Sequence, residues 1–141
     1  DYTYDGLNRL TKTSLTTSPD TPIDTTYTYF ASKRGSGYTT TKLKSETING
    51  EKYEYKYDAH SNITDVTKDG VLQYHYGYDM MNQLVSVDDK LNGKVYNYTY
   101  DAGGNLISET VTDSNGTTSN AYEYNNSNMI QTEFCIMSDI L

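Results

Sequence analysis

Along most of this chain, aromatic and polar positions alternate with a period of two. The run Tyr96-Asn97-Tyr98-Thr99-Tyr100 places tyrosine at every second position. It stops at Asp101-Ala102-Gly103-Gly104-Asn105, and Leu106 restarts an alternating segment. That period puts all three rings on one face of a β-strand. The same run and stop recur at Tyr2-Thr3-Tyr4-Asp5, at Tyr53-Glu54-Tyr55-Lys56-Tyr57-Asp58 and at Tyr74-His75-Tyr76-Gly77-Tyr78-Asp79. Two worn copies, Tyr27-Thr28-Tyr29-Phe30 and Tyr122-Glu123-Tyr124-Asn125, carry another residue in place of the aspartate. Asp58 to Asp79 is a step of 21 residues, Asp79 to Asp101 of 22, and Asp101 to Asn125 of 24. Periods of this size mark a repeat array. Only Tyr38 of the 16 tyrosines lies outside these runs, so the tyrosine excess belongs to the repeat and not to one site.

A second signal falls between the tyrosine runs. Asn49-Gly50, Asp69-Gly70, Asn92-Gly93 and Asn115-Gly116 each separate two alternating segments. Such a pair is a strong hairpin signal, because both turn residues take positive φ. Each repeat therefore predicts two strands and two turns, and the chain about a dozen strands of roughly 6–8 residues. No window carries apolar residues at helical spacing. The expected fold is all-β: an antiparallel meander of repeated β-hairpins forming a curved, twisted strip. The tyrosines of adjacent strands are expected to pack on one another, with the Thr, Lys, Glu and Asn face in water. Residues 18–22, Ser-Pro-Asp-Thr-Pro, read as a turn, and Ile23 to Phe30 as the strand after it. Residues 31–37 read as an insertion that lengthens one connection. The array is expected over 1–133, with an apolar, irregular or truncated end over 134–141.

Composition changes this picture in two ways. The chain is 35% hydrophobic, against about 45–50% in ordinary domains, so an aliphatic core would be thin. Tyrosine rings, at roughly 150–250 Å² each, supply apolar area instead. The net charge is −8 and the 11 Lys and Arg are scattered. This argues against a nucleic-acid partner, which needs a basic face. One cysteine, Cys135, rules out an internal disulfide. No stretch approaches the roughly 18 apolar residues of a membrane helix. The chain opens inside a repeat motif, without Met, which predicts a piece of a longer array. Its two edge strands would invite self-association.

The aspartates Asp5, Asp58, Asp79 and Asp101 admit three readings. As turn formers, they accept hydrogen bonds from backbone N–H groups two or three residues on. As calcium ligands, they would need neighbouring repeats to share an ion, since six to eight oxygens must converge. As acid/base pairs, they would need one unique cleft, and repetition argues against that. The turn-forming reading is preferred. His60 and His75 show no metal-ligand spacing, and Cys135 lies far from both. No glycine-rich phosphate loop opens a helix. No cofactor, metal or catalytic residue is expected.

The pattern resembles the YD repeat of the Rhs family, whose core reads roughly tyrosine-x-tyrosine-aspartate-x-x-glycine-arginine-leucine. Asp5 to Leu10 fits with Asn8 and Arg9 before Leu10, and Asp101 to Leu106 with Gly104 and Asn105 before Leu106. The resemblance implies a β-shell of further repeats enclosing a C-terminal toxin of secreted or surface bacterial polymorphic toxins. It implies a non-catalytic role for this chain. The family's self-cleavage motif contains Asp-Pro, and this chain has no such pair. The residues expected to matter are structural: Tyr2, Tyr4, Tyr55, Tyr57, Tyr76, Tyr78, Tyr98 and Tyr100, the four aspartates, Gly104 and the Asx-Gly turns. The alternative is a cell-surface module binding carbohydrate or cell-wall polymer, with Tyr76 and Tyr98 as candidate sugar contacts.

Overall fold

A computed structural model describes residues 1–17, 21–32, 39–125 and 130–137. They form twelve strands: β1 (Tyr2–Tyr4), β2 (Leu10–Thr17), β3 (Thr21–Ala31), β4 (Thr39–Ile48), β5 (Glu51–Tyr57), β6 (Ile63–Lys68), β7 (Val71–Tyr78), β8 (Leu84–Asp89), β9 (Lys94–Tyr100), β10 (Leu106–Asp113), β11 (Gly116–Tyr124) and β12 (Ile130–Met137). The β-branched and aromatic residues that fill them suit a pleated, half-buried surface. Sheet order follows chain order, β1 to β12, and the pairing is antiparallel. This is the meander of hairpins that the alternation predicts. The chain divides into two compact units, Asp1–Lys56 with Asp65–Leu72, and Tyr57–Thr64 with Gln73–Leu141.

Among the described residues no hydrophobic side chain is fully buried; the buried ones are Thr25, Ser45 and Asp89. Apolar side chains on these strands are thus only partly covered. In β9 the tyrosines are half-buried while Val95, Asn97 and Thr99 between them are exposed, so one face is better covered than the other. The cover differs from expectation. Only one strand of each repeat carries tyrosines, so successive tyrosine strands lie two strands apart, about 10 Å. The residues opposite are aliphatic or acidic: Tyr96 faces Val87 and Val111, Tyr76 faces Val87, and Tyr98 faces Glu109. A stacked tyrosine pair, Tyr74 and Tyr76, lies within one strand, with centroids 6.1 Å apart.

Three boundaries move. β3 starts at Thr21, with Pro22 opposite Thr16, so Thr21 and Pro22 belong to the ladder and not to a turn. Ser18, Pro19 and Asp20 lie outside the described residues, as do residues 33–37 of the expected insertion. The worn copy at Phe30 makes no turn there: β3 runs on to Ala31, opposite Thr39. Phenylalanine has no carboxylate with which to fold the backbone back. At the far end β12 continues through Phe134–Met137, past the point where the sequence pattern gives out. Cys135 sits in that strand, opposite Asn120.

Candidate functional site: aspartate turns and tyrosine clasps

The four aspartate turns are built alike. In each, the backbone N–H of the aspartate donates to the carbonyl four residues on: Asp5 to Arg9, Asp58 to Asn62, Asp79 to Gln83, Asp101 to Asn105, at 2.9–3.0 Å. The carbonyl of the aspartate accepts from the residue three on, at 3.0–3.3 Å. That third residue holds positive φ in every copy: Asn8 57°, Ser61 78°, Asn82 62°, Gly104 82°. The pattern matches a three-residue hairpin connection that ends in a left-handed residue.

The carboxylate locks the loop from inside. Oδ1 accepts from the backbone N–H groups two and four residues on: Leu7 and Arg9, His60 and Asn62, Met81 and Gln83, Gly103 and Asn105, at 2.8–3.0 Å. The sequence reading placed the donors two or three residues on. The N–H at three is taken by the aspartate's own carbonyl, and the left-handed residue turns the N–H at four inward. Oδ2 takes a side chain from the fifth residue of the turn: Arg9 Nε at 2.7 Å, Asn62 Nδ2 at 2.9 Å and Asn105 Nδ2 at 2.8 Å.

These bonds favour the charged carboxylate. The Arg9 side chain, then its backbone N–H, holds Asp5 below the usual aspartate range. Burial works against ionisation of Asp58, but the bonds from Asn62 and His60 outweigh it and its pKa is lowered. The Asn105 amide is the first cause of the same shift at Asp101.

A β-bulge follows the Asp5, Asp79 and Asp101 turns and recurs at Tyr124. The last tyrosine of a run faces the aliphatic residue just after the loop, and one residue beyond it is skipped: Tyr4 faces Leu10, Tyr78 Leu84, Tyr100 Leu106 and Tyr124 Ile130. The bulge frees that last tyrosine to reach back one repeat. Tyr78 Oη donates to the Ile63 carbonyl at 3.0 Å, Tyr100 to Leu84 at 2.7 Å, Tyr124 to Leu106 at 2.8 Å, and Tyr29 to Leu10 at 2.7 Å. In every case the acceptor is the residue five after an aspartate of the motif. The tyrosine–aspartate pair is thus two devices: the aspartate folds its own turn, and the tyrosine clasps the turn before. Sequence reasoning missed the clasp, although its fixed offset from each motif aspartate was legible. Burial raises the pKa of Tyr57, Tyr76, Tyr78, Tyr98 and Tyr100.

The Asx-Gly turns are less uniform. Asn49 and Gly50 have φ of 50° and 90°, Asp69 and Gly70 of 49° and 81°, the two-residue turn expected of such pairs. Asn92-Gly93 differs. It ends a four-residue loop, in which Asp89 accepts the Asn92 backbone N–H at 3.0 Å and its side-chain amide at 2.7 Å. At the last turn Asp113 faces Gly116, so the turn residues are Ser114 and Asn115 and the glycine opens the strand. Asp113 Oδ1 accepts the Asn115 N–H at 2.7 Å.

The remaining candidates are placed as follows. Tyr2 and Tyr4 are 72% and 58% exposed, on the outermost strand. Tyr55 donates to Glu46 at 2.6 Å. His60 is exposed in the Asp58 turn, and His75 is exposed opposite Asp88. Tyr76 and Tyr98, the candidate sugar contacts, are half-buried. A groove of roughly 790 Å³ is lined by Asp58, His60, Thr64, Tyr76, Met80 and Met81. Among the described residues no three His, Cys, Asp or Glu gather as a metal site. Oδ1 of each motif aspartate, and Oδ2 of Asp5, Asp58 and Asp101, already serve N–H donors.

The RHS Repeat family model matches residues 78–118. Over those residues, less than a third of the chain, the sequence resembles an Rhs repeat. The matched segment runs from Tyr78 through the Asp79 and Asp101 turns and the Tyr100 clasp into β11. No curated protein matches the chain. Among solved structures, the crystal structure of TcdB2-TccC3-Cdc42 superposes with a TM-score of 0.68 at 16% identity, over 95% of this chain and 8% of that one. A Tc holotoxin pore from Photorhabdus luminescens superposes with a TM-score of 0.48 at 15% identity, over 98% of this chain and 11% of that one. The chain thus spans about a tenth of the length of these solved chains, and the first likeness is one of fold.

Proposed function

We propose that this Rhs-repeat chain is a non-catalytic stretch of wall in a secreted β-shell, and that its partners are further repeats and an enclosed toxin domain. One observation carries the reading: the same turn and clasp recur along the chain, and their polar atoms are spent on one another. A wall needs a unit that joins identically to the unit before it. A catalytic site needs one constellation unlike the rest. The array over 1–133 and the structural roles of the motif residues belong to the same proposal. The outer edges of β1 and β12 are where further strands, or a second copy, would add.

The test is limited proteolysis of the parent polypeptide with its downstream region. A segment enclosed by the wall resists protease until the wall is denatured. Digestion of that segment at the rate of the free domain would overturn the reading. The glycan-binding alternative predicts signal on a glycan array that is lost in Tyr76→Ala and Tyr98→Ala.

A further inference from the structure

The fifth residue of an aspartate turn reaches forward into the next repeat. Asn62 gives one amide hydrogen to its own Asp58 and the other to Asn82 Oδ1, each at 2.9 Å. Asn82 is the left-handed fourth residue of the following turn. At the next junction different residues fill the same two places. Gln83 is the fifth residue, and the left-handed fourth residue of the turn after it is Gly104. The Gln83 amide nitrogen lies 3.2 Å from where a Cβ on Gly104 would stand. A short amide meets a side chain; an amide one methylene longer meets a glycine. Arg9 also reaches forward from the fifth place, donating to the Thr40 carbonyl at 2.6 Å and lying 4.4 Å over the Tyr29 ring.

We propose that the fifth residue of one turn and the fourth residue of the next form a size-matched pair that determines which repeat can follow which. Asparagine opposite asparagine closes a hydrogen bond, and glutamine opposite glycine packs on bare backbone. The mixed pairs fail in opposite ways. Glutamine opposite asparagine is overfilled, and asparagine opposite glycine has lost its acceptor. The turn row is then an ordering code along the array, and it holds whether or not the wall encloses a toxin.

The test uses the 141-residue chain and four variants. Asn82→Gly keeps a residue that accepts left-handed φ and removes only the acceptor. The amides of His60 and Asn62, in the preceding turn, should then exchange about fivefold faster, the effect of one hydrogen bond. The amides of Met81 and Gln83 should not. Gly104→Asn should lower the urea midpoint, since asparagine tolerates the left-handed backbone but displaces Gln83. Gln83→Asn should also lower it, and Gln83→Asn with Gly104→Asn should recover at least half of the summed loss. Losses that add in the double variant overturn the proposal. So does faster exchange confined to the Asp79 turn in Asn82→Gly, a result that stands even if a Gly104 variant fails to fold.

Discussion

The two ends of each hairpin solve the same problem by different means. At one end, four aspartate turns share one set of bonds: a carboxylate that accepts two backbone N–H groups, a closing N–H to carbonyl bond and a left-handed fourth residue. At the other end, four Asx-Gly turns adopt three geometries. The difference is one of cause. A side chain that bonds the backbone at two fixed offsets leaves the loop one shape. A glycine only permits positive φ, and flanking residues such as Asp89 then choose among several loops. The aspartate end is also where the repeats are joined, by the tyrosine clasp, so its shape has to recur.

Acid should break this comparison most strongly. Asp5, Asp58 and Asp101 have lowered pKa values, so their stabilisation is present above the ordinary aspartate pKa of about 3.9 and is lost as pH falls below it. Urea midpoints should be level from pH 7 to about pH 5 and drop toward pH 3. Amide exchange should show the turns at Asp5, Asp58 and Asp101 opening before the Asn49-Gly50 turn. A parallel loss at both ends would mean that the carboxylates do not set the difference.

Asp101→Ala should come next, lowering Tm by about 6 °C, because the Gly103 and Asn105 donors lose their acceptor. Asp101→Asn, which keeps one acceptor oxygen, should lose less. At the permissive end, Gly50→Ala should cost about 1 kcal/mol in urea unfolding, since alanine resists φ of 90°. Tyr100→Phe removes one clasp to Leu84 and should also cost about 1 kcal/mol, with an unchanged denaturant slope. A neutral Tyr100→Phe would show that ring packing, not the hydroxyl, joins the repeats. The smallest effect should be a gain. Ser61 is the one fourth-place residue that is neither Asn nor Gly, and Ser61→Gly should raise stability by about 0.5 kcal/mol.

The alternation of Tyr96-Asn97-Tyr98-Thr99-Tyr100 with its aspartate stop was enough to place the strands and count the repeats. Side-chain direction in a strand has a period of two whatever the context. The turn role of Asp101 was legible for a similar reason: its partners lie within four residues. The boundaries at Phe30 and Phe134 were not. A strand ends where pairing ends, and pairing is a property of the neighbour. Nor was the tyrosine environment. Tyr96 faces Val87 and Val111 because register sets what lies across the ladder.

The sequence alone therefore determined what is local: the all-β meander, the repeat step and the residues that fold each turn. The tertiary structure decided what is distant. It alone set the bulge that aims Tyr100 at Leu84, and the register that, among the described residues, leaves only Thr25, Ser45 and Asp89 buried. It alone brought Asn62 against Asn82. These contacts join residues about 15–20 positions apart, and they exist only once sheet pairing has fixed the spacing between one repeat and the next.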